Sequence, residues 1–357
     1  MSQNSANTVG KRGGKVLIVK LSSLGDVVHA MPAVQDLRQA LPGVTVDWVV
    51  ERAFAALVAR CTGVERVITC DLRRWRKSPF TAQTRSEWWA FKQALQAQAY
   101  DAIIDLQGLT KSALVSWLAR TTPNGRRYGL DNQTEGSSFE APARWVTDVA
   151  FPMEPHVHAV QRSRLLCAAA CAYTVTEPVR YGLVAGICAA PSPVVKGGHG
   201  GNTFAPRKPR VALVHGTSRA DKQWPLSHWI ELGQRLNHSG FAVALAHGNA
   251  AEKTTSEAIA DQLKDAWVWP IMGLDALTDT MAQCAAVVGV DSGLSHIAVA
   301  LGLPHVQIYN FDTAWRTGPH STAPKAARQV SVFDTPCPTV EAVWQAWESL
   351  DTPVFCR

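Results

Sequence analysis

The sequence lacks the common signatures of metal binding, redox chemistry and membrane spanning. Its 357 residues include eight cysteines, at 61, 70, 167, 171, 188, 284, 337 and 356, and none forms a C-x-x-C pair. Zinc-ribbon and thioredoxin-type readings therefore fail. Cys167 and Cys171 sit in an Ala-rich helical stretch and read as small buried hydrophobes. No D-x-D occurs, and no His or carboxylate cluster has metal-ligand spacing, so no metal site is expected. His156 and His158 read as ordinary histidines. Neither G-x-G-x-x-G nor G-x-x-x-x-G-K-[ST] follows the first strand, which argues against a nicotinamide dehydrogenase and a P-loop NTPase. No apolar run reaches the roughly 20 residues of a spanning helix. The net charge of +6 is modest, and its cations are dispersed rather than arrayed as the basic stripe of a nucleic-acid binder. These absences predict a cytoplasmic protein with no nucleic-acid partner and at most peripheral membrane contact.

What is present is a repeated alternation of short apolar runs and amphipathic stretches. Lys15–Leu21 reads as a buried strand, and Val27, Ala30, Val34, Leu37 and Leu41 recur at helical spacing until Pro42-Gly43 ends the run. Further strands are expected at 44–50, 64–69, 101–106 and 144–151. Between about 184 and 209 the pattern dissolves into Gly, Pro and Ala, and then it restarts. Strands are expected at 210–215, 242–246, 266–270, 285–290 and 305–309, with helices at 226–239, 251–263 and 341–350. This predicts an α/β protein of two Rossmann-like domains facing a cleft. The expected boundaries are a flexible tail at 1–14 with no export signal, a first domain at 15–183, a linker at 184–209, and a second domain at 210–357 ending in a helix.

In such sheets ligands sit beyond the carboxyl ends of the strands, so the loops there carry the candidate chemistry. Asp26 follows the first strand. It reads either as a general base or as a carboxylate that stabilises the next helix. Thr217, Ser218 and Lys222 follow the first strand of the second half. They read as a phosphate-binding set or as a polar turn with a solvated lysine, Asp221 pairing with Lys222 or solvent. Val290-Asp-Ser-Gly-Leu-Ser-His296 precedes a helix expected from Ile297. It reads as an anion site, an N-cap by Asp291 or Ser292, or both. Arg73, Arg74, Arg76 and Lys77 surround Trp75 and read as a solvated loop or as a trap for an anionic, partly apolar substrate at a membrane surface.

KLSSLGDVVHAMPA at 20–33, DLQGLTKSA at 105–113, HGTSRADKQWP at 215–225 and VDSGLSH at 290–296 resemble the bacterial ADP-heptose transferases of lipopolysaccharide synthesis. RRWRK at 73–77 resembles the branch of that family acting on Kdo-lipid A. The resemblance covers nearly all of 15–350. It implies the B-type glycosyltransferase fold, with an acceptor-binding first domain and an ADP-sugar-binding second domain. It also implies inverting transfer of heptose from ADP-heptose to the Kdo sugar, without a cofactor, at the inner face of the inner membrane. Asp26 would be the base, with Lys222 also catalytic. Thr217, Ser218, Lys222, Glu252, Met272, Asp291, Ser292, Gly293 and His296 would bind the donor. Ser23, Arg73, Arg74, Arg76 and Lys77 would bind the acceptor. A sister enzyme adding a later core heptose would use the same donor logic, and a non-catalytic sugar-binding protein is the reading from another class. Two departures stand out. Glu135-Gly-Ser replaces the Ala-Arg-Glu of relatives, with Arg144 the candidate substitute cation, and Asn310 stands where relatives often carry Gly.

Overall fold

The computed structural model describes residues 13–135, 139–186, 208–320 and 329–350. Most of the expected tail and linker (1–12 and 187–207) lies outside the described residues. The chain divides into two compact units, Met1–Val184 and Ala185–Arg357.

The first unit runs β1 (Lys15–Val19), α1 (Leu24–Ala40), β2 (Thr45–Glu51), α2 (Ala55–Val58), β3 (Val64–Cys70), α3 (Leu72–Lys77), α4 (Ala82–Gln96) and β4 (Ala99–Asp105). It continues through α5 (Thr110–Leu118), β5 (Arg120–Leu130), α6 (Ala141–Val146), β6 (Val149–Phe151) and α7 (Ala159–Cys171). Its six strands are parallel, in the order β3-β2-β1-β4-β5-β6. The second unit runs β7 (Arg210–Val214), α8 (Leu226–His238), β8 (Ala242–Leu245), α9 (Ala250–Ala260), β9 (Ala266–Val268) and α10 (Leu274–Met281). It continues through β10 (Ala286–Val290), α11 (Gly293–Ala300), β11 (His305–Tyr309), α12 (Ala314–Thr317), β12 (Gln329–Phe333) and α13 (Val340–Glu348). Its order, β12-β11-β10-β7-β8-β9, is also parallel throughout. Counted from its own first strand, each sheet is doubly wound in the same sense. Strand order reverses between β1 and β4 in one and between β7 and β10 in the other, and these crevices are where such folds bind ligands.

The central strands are apolar on both faces because helices cover both. Val16–Val19 of β1 and Val211–Leu213 of β7 are fully buried. In α8, Trp229, Leu232 and Leu236 recur at helical spacing and pack into the second core. Burying each contributes about 1.5–3 kcal/mol. Side-chain oxygens start several helices: Thr81 accepts from the Thr84 amide at 3.1 Å, and Thr339 from Ala342 at 3.2 Å.

Several expectations need correction. The stretch 144–151 is not one strand: Arg144–Val146 close α6, and only Val149–Phe151 form β6. The basic run at 73–77 is helical, not a loop. The helix expected from Ile297 begins at Gly293. Strands β5 and β12 and helix α10 were not foreseen. Cys167 and Cys171 are buried, and burial pushes the Cys171 thiol up to about 12.

Candidate active site

At the first switch point, the end of β4 shapes the loop after β1. Asp105 accepts from the amides of Gln107 (2.8 Å) and Gly108 (3.0 Å) and from Ser112 Oγ (2.8 Å). Gly108 adopts φ +70°, which suits glycine. The turn so formed aims Gln107 Oε1 at the amides of Leu21 and Ser22, 3.1 Å from each. Lys111 Nζ donates to Ser22 Oγ at 2.7 Å. Asp26 then stands in the first turn of α1, half-buried. Its Oδ2 accepts from Ser23 N (3.1 Å) and Ser23 Oγ (3.0 Å). The helix-stabilising role is thus real, and it occupies one carboxylate oxygen.

The electrostatics keep that carboxylate charged. Burial acts to raise its pKa, but the Lys20 charge, the Ser23 hydrogen bonds and the Arg162 charge outweigh it and hold Asp26 below the usual carboxylate range. Lys20 is buried with Nζ on the Leu106 carbonyl at 2.9 Å, and burial pulls its own pKa down. Sequence reasoning missed Lys20, Lys111 and Arg162 as members of this site. Lys20 and Lys111 lay inside the quoted motifs, whereas Arg162 is brought in by α7 from far along the chain.

The second switch point is built differently. Lys222 lies in a 3₁₀ turn, Ala220–Lys222, and its Nζ reaches the buried Asp291 Oδ2 at 2.5 Å. Asp221 pairs with Arg219, so neither alternative for it, Lys222 or solvent, holds, and Lys222 is not a solvated lysine. Asn310 Nδ2 donates to the carbonyls of Asp221 and Gln223, both at 2.9 Å, and so grips the backbone on either side of Lys222. Asp291 Oδ1 lies 3.4 Å from His296 Nε2 and accepts from Thr317 Oγ1 at 3.3 Å. Burial acts to raise its pKa, but His296 and Lys222 prevail and hold it far below the ordinary range. Asp291 is therefore not an N-cap. Ser292 occupies the cap position of α11 without a capping side-chain bond, and its buried Oγ makes no hydrogen bond among the described residues. An unpartnered hydroxyl at a helix N-terminus suits an anionic ligand.

Thr217 is half-buried and Ser218 exposed in the loop after β7. Glu252 lies in the first turn of α9, and its Oε2 accepts from the Gly248 amide at 2.7 Å. A Cβ on Gly216 would stand 2.9 Å from the Glu252 carboxyl carbon, so glycine lets this acid approach the β7 loop. Met272 precedes α10, with Thr280 Oγ1 at 3.7 Å from its sulfur. Gly293 is the first residue of α11, and His296 lies within its first turn. Among the described residues, no three His, Cys, Asp or Glu side chains gather as a metal site.

The basic residues divide by role. Arg74 is held by Asp71 at 2.7 Å and by Glu87, which also takes the Trp75 indole N–H at 2.8 Å. Arg73, Arg76 and Lys77 are exposed. Arg144 pairs with Asp131 at 3.0 Å rather than standing free as a substitute cation.

Residues 88–343 match the family model described as glycosyltransferase family 9 (heptosyltransferase). The chain belongs to glycosyltransferase family 9. This glycosyltransferase is 37% identical over 325 residues to lipopolysaccharide heptosyltransferase 1 of Pseudomonas aeruginosa, covering 90% of this chain and 85% of the relative. Identity to lipopolysaccharide heptosyltransferase 2 of Escherichia coli is 25% over 336 residues, so the similarity favours the first kind over the second. The E. coli heptosyltransferase WaaC with ADP superposes with a TM-score of 0.79 at 33% identity, covering 94% of this chain and 99% of that one. The glycosyltransferase thus has the B-type fold, as expected. None of its described helices is long and apolar enough to cross a membrane.

Proposed function

We propose that this family 9 enzyme moves L-glycero-D-manno-heptose from ADP-heptose to the Kdo sugar of Kdo-lipid A, inverting the anomeric centre, in the lipopolysaccharide inner core. The observation that carries the reading is the complementary chemistry of the two equivalent switch points. The first carries a carboxylate kept ionised by Lys20 and Ser23. The second carries an anchored ammonium and a hydroxyl without a hydrogen-bond partner at a helix N-terminus.

In this reading the acceptor hydroxyl oxygen attacks the anomeric carbon as the bond to the diphosphate breaks. The hydroxyl proton passes to Asp26. A weakly basic carboxylate suffices, because the hydroxyl becomes acidic only as its oxygen bonds to carbon. Lys222, Thr217, Ser218 and the α11 N-terminus at Ser292 and Gly293, with His296, offset the charge of departing ADP. No metal is invoked. Asp291 holds the heptose hydroxyls, Glu252 the ribose, and Met272 lines the adenine. Ser23 and the exposed Arg73, Arg76 and Lys77 receive the acceptor's carboxylates and phosphates, and Arg74 holds that helix in place. The enzyme works in the cytoplasm, against the inner face of the inner membrane.

The test is transfer from ADP-heptose to Kdo-lipid A, run beside an acceptor that already carries the first heptose. Product with Kdo-lipid A alone supports the assignment. Product only with the heptosylated acceptor would make this the sister enzyme.

A further inference from the structure

Two histidines stand beside Glu252, and none of these roles uses them. His215 follows β7 and His247 follows β8, and the parallel pairing of Leu213 with Leu245 brings the two side by side at the carboxyl end of the sheet. His215 is buried. Its Nε2 and Ser256 Oγ are 2.7 Å apart, and Ser256, fully buried on α9, also lies 3.4 Å from the Ala246 carbonyl. Ser256 is one turn beyond Glu252 on the same face of α9. This tie fixes the face of α9 that carries Glu252 against the ends of β7 and β8. Burial lowers the His215 pKa, Glu252 acts against that shift and His247 adds to it, so the three groups share one crevice. His247 differs from His215. It is half-buried, and its Nδ1 is enclosed without a hydrogen bond among the described residues. Nε2 is then the ring nitrogen left to meet a ligand. Glu252 also has capacity to spare. Its Oε2 accepts from Gly248, the residue after His247, at 2.7 Å, whereas its Oε1 takes no hydrogen bond among the described residues.

In a doubly wound half, the acid that follows the second strand takes a ribose hydroxyl. A hydroxyl that donates to a carboxylate still has lone pairs that seek a donor, and a carboxylate cannot supply one. The strand order places His247 where that donor is needed. The loops after β7, β8 and β9 carry in turn the diphosphate set, His247 with Glu252, and Met272 at the adenine. His247 thus stands between phosphate and base, where a nucleotide has its sugar. We propose that His247 Nε2 donates to the ribose 2′-hydroxyl of the ADP moiety while Glu252 Oε1 accepts from it, so that the pair selects ribonucleotide over deoxyribonucleotide donors. The inference rests on the ADP-sugar reading and adds to it a second residue and a stated selectivity. A 2′-deoxyribose would leave both groups unpaired, which is how a polar site rejects an analogue that lacks one hydroxyl.

The experiment titrates ADP and 2′-deoxy-ADP calorimetrically into wild type, His247→Asn and His247→Gln. Wild type should bind ADP about ten-fold or more tighter than 2′-deoxy-ADP, because the missing hydroxyl forfeits a hydrogen bond to a charged acceptor as well as one from the imidazole. Asparagine keeps a polar atom near the Nδ1 position and has nothing at Nε2. Glutamine reaches the Nε2 position with an amide N–H. His247→Asn should therefore cut the ADP preference by roughly three- to ten-fold, with 2′-deoxy-ADP bound as by wild type. His247→Gln should keep the preference within about two-fold of wild type. A wild-type ratio near one, a ratio unchanged in His247→Asn, or a loss shared equally by both nucleotides would overturn the contact. Failure of wild type to bind ADP at all would instead overturn the ADP-sugar reading beneath it.

Discussion

Replacing Lys222 by Ala should weaken ADP binding sharply, and the structure sets the scale. In the free protein Lys222 Nζ is already fixed on Asp291, in a loop gripped by Asn310. The ammonium therefore needs little ordering to meet a diphosphate. A hydrogen bond to a charged group contributes about 1.5–3 kcal/mol, which corresponds to roughly 10- to 150-fold in affinity. A second effect has the same sign. Without Lys222, the buried Asp291 loses its ammonium partner, and its less compensated charge repels the incoming phosphates. Calorimetric titration of ADP at fixed ionic strength measures the sum. Asp291→Asn is the control. It removes the repelling charge, so ADP should bind about as well as before, while the intact sugar nucleotide loses the contact to its heptose hydroxyls. An ADP affinity within twofold of wild type in Lys222→Ala would refute the assignment of Lys222 to the diphosphate.

Asn310→Ala should loosen the turn carrying Lys222 and weaken ADP several-fold, since two hydrogen bonds of about 0.5–1.5 kcal/mol each are lost. The same titration checks it, and an unchanged affinity would leave Asn310 without a positioning role. Arg164 is fully buried and bidentate on Asp36, at 2.7 and 3.0 Å, tying α7 to α1. Arg164→Ala should destabilise the first unit by about 3–5 kcal/mol, read as a lower denaturant midpoint. Neutralising Arg73, Arg76 and Lys77 together should raise the acceptor KM and flatten its dependence on salt, with the donor KM nearly unchanged. Equal salt sensitivity in both proteins would make these residues a solvated helix face.

What could be read from the sequence follows from how each element is held. The central strands carry continuous apolar runs because both faces are covered, and such runs stand out. Arg120–Leu130 carries Pro, Gly and three arginines, and only Tyr128, Gly129 and Leu130 are buried. Its pairing with β4 comes from the sheet rather than from its own pattern. In 144–151, β-branched residues blurred a helix end into the following strand. The site residues were legible where a polar loop directly follows a strand, as at Asp26 and Lys222. What fixes their chemistry was not. The charge on Asp26 depends on Lys20, which reads as part of the strand, and on Arg162, more than a hundred residues away. Lys222 is paired with Asp291, not with its neighbour Asp221, because the reversal of strand order places the ends of β7 and β10 side by side.

The central claim is that Asp26 takes the acceptor proton in a heptosyl transfer. Single-turnover transfer from ADP-heptose to Kdo-lipid A, by wild type and by Asp26→Asn, tests it most directly. Loss of the base should slow the chemical step by about 10²–10⁴-fold while ADP affinity stays near wild type. Because Asp26 is held ionised below the ordinary aspartate value of about 3.9, the wild-type rate should not fall at mildly acidic pH on this residue's account. Transfer by Asp26→Asn within a few-fold of wild type, at saturating substrates, would contradict the account.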